Sequence, residues 1–200
     1  MDNDSAKANP QSLETKYAAT GGALPEPWLR GTLGEVPAVA RSVLHALELA
    51  SEDVRRWAGR LNDAQLKMRP AGLPSLAFQL RHIARSVDRL LTYAEGGQLT
   101  AEQLAALQTE NGENVKQAEL WAEFDEIMTR SMVRVRAISR EDLEKPRLVG
   151  QKRLPSSLGG LLVHIAEHTQ RHVGQLITTA KVAAARETEV RVHPGPEHGS

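Results

Sequence analysis

Four stretches of the chain place an apolar residue at every third or fourth position, so each should fold as a helix that buries one face. The first stripe runs Val36, Ala40, Val43, Leu47, Ala50, Val54, Ala58 and Leu61. The second runs Leu76, Leu80, Ile83, Val87, Leu90, Leu91 and Ala94. Leu120, Phe124, Ile127, Met128, Ser131, Val135 and Ile138 form the third. Leu158, Leu161, Leu162, Ile165, Val173, Leu176, Ile177 and Ala180 form the fourth. No segment shows a convincing strand alternation. Aromatic residues make up only 4% of the chain, so the stripes must meet in an aliphatic core. The pattern predicts an all-α fold, a four-helix bundle with a long crossover connection between helices two and three.

Local signals set the ends. Ser75, just after Pro74, is the expected N-cap of helix two, and Gly96-Gly97 ends it. Helix four should start near Ser156-Ser157, after Pro155. Within the long connection, Thr100-Ala-Glu-Gln103 has the form of a capping box and predicts a short extra helix. Residues 139–155 read as a small hairpin or an irregular loop. Residues 1–22 are polar and small and read as a flexible N-terminal segment. The bundle is expected over 23–185, with a Pro- and Gly-punctuated lead-in anchored by Trp28. Residues 186–200, "RETEVRVHPGPEHGS", read as a flexible tail.

Charge and composition exclude several roles. Lys plus Arg and Asp plus Glu both number 25, without the basic excess of a nucleic-acid-binding protein. No apolar run approaches the roughly 18 residues of a membrane span. The polar start lacks the apolar core of a signal peptide, so a cytoplasmic location is expected. The chain has no cysteine, which excludes thiolate ligands and a cysteine nucleophile of its own.

Chemistry concentrates in the histidines. The stretch "HIAEHTQRHVGQ" holds His164, His168 and His172 at intervals of four. Side chains four apart on a helix lie about 5–6 Å from each other and can share an ion. Residues eight apart are about 12 Å apart along the axis, so His164 and His172 cannot. The candidate pairs are therefore His164 with His168, or His168 with His172. On the helical wheel His172 lies about 40° from Leu176, at the border of the apolar stripe, and His164 lies furthest out. The wheel thus prefers His172 as the mate of His168. His82 sits at the border of the helix-two stripe and is a candidate third ligand. His45 falls about 160° from Leu47 and reads as a surface histidine, with a dimer contact as the rival. His193 and His198 belong to the polar tail.

His164-Ile-Ala-Glu-His168 also spells the H-x-x-E-H of one class of zinc peptidase, with Glu167 as general base. Such an enzyme needs a further carboxylate ligand well downstream. Only Glu187 and Glu189 precede Glu197, and they lie too close in sequence to come from a separate helix. The peptidase is the weaker reading.

The segments "LAFQLRHIARSVDRLLTYAEG" and "LGGLLVHIAEHTQRHVGQLITTAK" together resemble the DinB-like superfamily. The resemblance runs from about Trp28 to Lys181. It rests on a histidine in the middle of helix two and on H-x-x-x-H followed closely by Gly-Gln on helix four. It implies a four-helix bundle with a crossover, often a homodimer, in which three histidines bind a divalent ion such as zinc or nickel. Carried over by motif, those ligands are His82, His168 and His172. Many members carry Arg directly after the last histidine, where this chain has Val173. Arg171 or Arg81 are the substitutes at hand. Some relatives transfer low-molecular-weight thiols onto electrophiles. The resemblance therefore points to a metal-dependent thiol transferase or hydrolase with a small-molecule substrate and an external thiol. A non-catalytic stress-response or ligand-binding homodimer is the alternative.

Overall fold

The computed structural model describes residues 24–112 and 116–192, with the backbone path alone for 186–192. The expected N-terminal segment 1–22, and His193 and His198, lie outside them. The chain is predominantly helical. Among the described residues, α1 spans Ala38–Ala58, α2 Asp63–Lys67, α3 Leu76–Ala94, α4 Ala101–Gln108, α5 Gln117–Ile138 and α6 Leu158–Val192. Two short strands, β1 (Pro146–Val149) and β2 (Leu154–Ser157), pair antiparallel from Pro146↔Ser157 to Val149↔Leu154.

The four long helices are the four with apolar stripes, and their stripes form one core. Leu47, Val54, Leu80, Ile83, Val87, Leu91, Val135, Leu162, Ile165 and Leu176 are all fully buried. Helix α6 packs on both α1 and α3, while α5 packs on α3 and α1. The core is aliphatic apart from Phe124 and the less deeply buried Trp121 and Tyr93.

The helix ends follow the local signals closely. Ser75 Oγ accepts from Phe78 N at 3.2 Å and caps α3. At the other end Gly97 N reaches Thr92 O and Gly96 N reaches Tyr93 O, the paired bonds of a Schellman cap. Gly96 sits at φ +89°, where a side chain would be strained. In α4 the capping box is complete, with Gln103 N to Thr100 Oγ1 at 3.2 Å and Thr100 N to Gln103 Oε1 at 3.1 Å. An equal box begins α2, built from Asn62 and Gln65. The sequence carries that signal too, in four residues without an apolar stripe to draw attention to it.

Four expectations need correction. Of the two readings offered for 139–155, a hairpin forms, so the chain is not purely α. Its strands hide a single side chain, the polar Arg147, so no apolar alternation marks them. Arg147 donates to Ala94 O and to Glu141 and docks the hairpin on the C-terminal end of α3. The segment from 186 does not leave the helix at once. Helix α6 continues to Val192, there being no Gly or Pro before Pro194. Trp28 is not an anchor. It is 61% exposed, and the lead-in is held by buried Pro27 and by Arg30, which bonds Glu48, Glu52 and Pro25 O. His45 is only 7% exposed, with Nε2 3.0 Å from Thr32 Oγ1. The wheel places it opposite the helical core correctly, but the lead-in folds back over that face.

These contacts set a contrast in stability. Leu80→Ala should cost about 2–5 kcal/mol, because the void cannot fill with water. Ser75→Ala, which removes a cap and little volume, should cost about 1 kcal/mol. Equilibrium denaturation measures both, and a Ser75 loss as large as the Leu80 loss would contradict the capping role.

Candidate metal centre

Helix α3 carries His82 on the side that meets α6, and α6 presents His168 and His172 one turn apart. The three rings pack together. Their centroids are 5.4 Å apart for His82–His168, 4.3 Å for His82–His172 and 4.5 Å for His168–His172. One ring nitrogen from each lies within 4.8 Å of the others. His82 Nε2 and His168 Nε2 are 3.3 Å apart. Two nitrogens bound to one tetrahedral zinc, each at about 2.0–2.1 Å, stand about 3.3–3.4 Å apart. His172 Nδ1 is buried with no hydrogen-bond partner, which is costly for a ring nitrogen unless something fills that role. The donor set and its spacing therefore fit a divalent ion.

The site is also prepared electrostatically. Burial, reinforced by the neighbouring His172 and His82, pushes His168 from an ordinary 6.5 down to about 4. Burial likewise lowers His172, with His82 adding to it. Both rings are thus neutral near pH 7, the state in which imidazole offers a lone pair to a metal. Phe78, one turn before His82, stacks on its ring with centroids 5.3 Å apart.

Segment 109–112, just after α4, closes over the other side of His82. Its Glu110 accepts from His82 Nδ1 at 2.9 Å through Oε2 and from Arg89 through Oε1. Burial alone would raise the Glu110 carboxyl, but the hydrogen bonds from His82 and Arg89 together hold it below the usual range. Arg81 donates to Thr109 O at 3.3 Å and Gly112 O at 2.9 Å, and Arg85 to Ala106 O at 2.6 Å. Arg81, Arg85 and Arg89, at intervals of four on α3, thus fasten segment 109–112 and the end of α4 to that helix.

His164 stands apart from this group. Its side chain is 45% exposed, and Nδ1 lies 3.4 Å from Glu167 Oε2. Glu167 is exposed and also pairs with Arg171, and these contacts, His164 first, hold it below the ordinary carboxylate range. His168, which the two halves of the histidine stretch share, and His172 meet His82, and His164 is not in the group. Val173, in the place of the family's Arg, is buried in the core. Arg81 is bonded to the carbonyls of Thr109 and Gly112, and Arg171 is paired with Glu167. Arg171 lies at the edge of an open groove. With Gly174 and Gln175 it lines this groove of about 400 Å³, which also contains Gln79 and Thr179. Gln79 Oε1 is buried there without a partner. Sequence reasoning missed Glu110 and Phe78. Phe78 at i−4 of His82 was readable, whereas nothing in the sequence ties Glu110 to a histidine 28 residues earlier.

The helical fold and the histidine cluster together define a class of proteins with a metal-ready site between two helices. Residues 46–176 match the DinB superfamily, and the chain belongs to that family. The matched span includes all three clustered histidines and Glu110. No curated protein matches the chain at a significant level.

The depressed His168 makes the metal-free protein acid-sensitive. The unfolded chain takes up its proton near 6.5 and the folded one only near 4. Stability should therefore fall as pH drops from about 6.5 towards 4. Denaturation of chelated protein at a series of pH values tests this, and His168→Gln should flatten the decline. An unchanged slope in the variant would contradict it.

Proposed function

We propose that this chain is a metal-dependent enzyme built on a four-helix bundle, with His82, His168 and His172 holding one divalent ion, zinc or nickel. The observation that carries the reading is the convergence of three ring nitrogens within 4.8 Å from two separate helices. Bound there, the ion would supply a Lewis acid with open positions, able to hold an external thiol as thiolate or to lower the pKa of a water to about 7.

The chain's own residues narrow the reaction. Three neutral imidazoles add no negative charge, so they leave the site attractive to an anionic ligand. Glu110, the carboxylate touching the cluster, has both oxygens engaged and is not free to serve as a base. That favours a nucleophile that needs no protein base, such as a metal-held thiol, over attack by water. The chain lacks cysteine, so the thiol is a low-molecular-weight cosubstrate. The groove lined by Arg171, Gly174 and Gln175, sequence neighbours of His172, offers space for it. Arg171 at its edge supplies a cation, and Gln79 Oε1 supplies an acceptor. In this reading the enzyme is a cytoplasmic homodimer that transfers a thiol to a small electrophile, with hydrolysis as the second activity of the same site. No helix among the described residues is long and apolar enough to cross a membrane.

Protein purified without chelator, or reloaded with zinc or nickel, should hold about one ion per chain by elemental analysis. His82→Ala, His168→Ala and His172→Ala should each abolish stoichiometric binding, while His164→Ala should leave it intact. Loss of the ion in His164→Ala with retention in His82→Ala would revive the peptidase pairing. Incubation with a panel of cellular thiols and an electrophile should show loss of free thiol that disappears on chelation. A flat response across the panel would remove the transferase assignment.

A further inference from the structure

Glu110 is the only buried carboxylate among the described residues, at 3% exposure. A carboxylate is almost never buried unless its charge is matched. Here the match is divided between two groups of different use. Arg89 neutralises the charge through Oε1, and Oε2 receives a hydrogen bond from His82 Nδ1. The bond to Nδ1 leaves the lone pair of His82 on Nε2, the atom 3.3 Å from His168 Nε2. Glu110 reaches the ring from the side away from the cluster, so it is not itself a ligand. We infer that Glu110 is a positioning residue of the metal site, which fixes the orientation of His82 and directs its Nε2 lone pair at the ion, and that segment 109–112 is thereby part of the site.

This rests on the metal-site reading above. Its supports are independent of any ion: the depth of burial, the two bonds, and the fastening of the chain by Arg81 and Arg85 on either side of Glu110. A carboxylate behind a ligating histidine also raises the donor strength of the ring, and losing such a partner costs about 10–100-fold in metal affinity.

The test compares zinc affinity, by competition with a chromophoric chelator, in the full chain and its variants. Glu110→Ala should bind zinc about 10–100-fold more weakly than the unmodified chain. Glu110→Gln, which keeps the shape and an acceptor oxygen, should lose less and serves if Glu110→Ala fails to fold. The cobalt-substituted proteins should differ in their ligand-field bands, because the His82 ring is no longer held. Val135→Ala opens a void in α5 and reports what lost stability alone does to affinity. The inference is overturned if both Glu110 variants bind within twofold of the unmodified chain with unchanged cobalt spectra, or if Val135→Ala weakens binding as much as they do. Either result leaves the three-histidine site standing. If the unmodified chain binds no zinc, or His168→Ala binds it equally well, the metal-site reading fails and this inference with it.

Discussion

The seam between α3 and α6 is the contact on which the rest of the structure depends. Leu80, Ile83 and Val87 on one side, and Leu162, Ile165 and Leu176 on the other, are fully buried in a core with little aromatic content. Close-packed aliphatic side chains tolerate few voids, so they fix how the two helices are staggered. A slip of one residue would move His82 by about 1.5 Å along its axis and turn it by about 100°. Either shift would take Nε2 out of reach of His168. The polar site is thus a by-product of apolar packing, and its geometry is only as firm as that packing.

Helix α3 divides its circumference among three tasks. One face is apolar and enters the core. His82, at the border, meets α6. The remaining face carries arginines and aspartate. Arg85 pairs with Glu123 of α5, and Asp88 receives Arg134 of the same helix. Arg81, Arg85 and Arg89 also grip segment 109–112 and the end of α4 through carbonyl oxygens and Glu110. Exposed ion pairs contribute little each. These are half-buried, bonded to backbone, and arranged along one line, so their effect is on where that segment lies. The same helix that presents the histidine also fixes the chain segment that supports it.

Three imidazoles held 4.3 to 5.4 Å apart between centroids make an unusual local environment. Burial disfavours a charge on His168 and His172, and protonation would also set like charges against one another, so both favour the neutral form. Neutral rings with lone pairs facing a shared space have too few partners among themselves, as the orphaned His172 Nδ1 shows. A divalent cation takes up several such lone pairs at once. Membership of the DinB superfamily agrees with that arrangement.

The sequence by itself determined the helices. Their period, the Ser75 cap, the Gly96-Gly97 stop and the Thr100–Gln103 box are local rules, acting over a few residues, and each formed as read. It also narrowed the histidine stretch, because spacing on one helix is a local quantity. What the period could not show was which outward faces other segments would cover. His45 is buried by a lead-in thirteen residues earlier, and Trp28 is left outside by the same fold. Nor could spacing supply a partner from another helix. The wheel made His82 a candidate and the family resemblance completed the set, but its meeting with His168 is set by side-by-side packing of elements 86 residues apart. Glu110 was decided by tertiary structure alone. A surface-like Thr-Glu-Asn stretch became the buried partner of His82 only when three arginines drew it against α3.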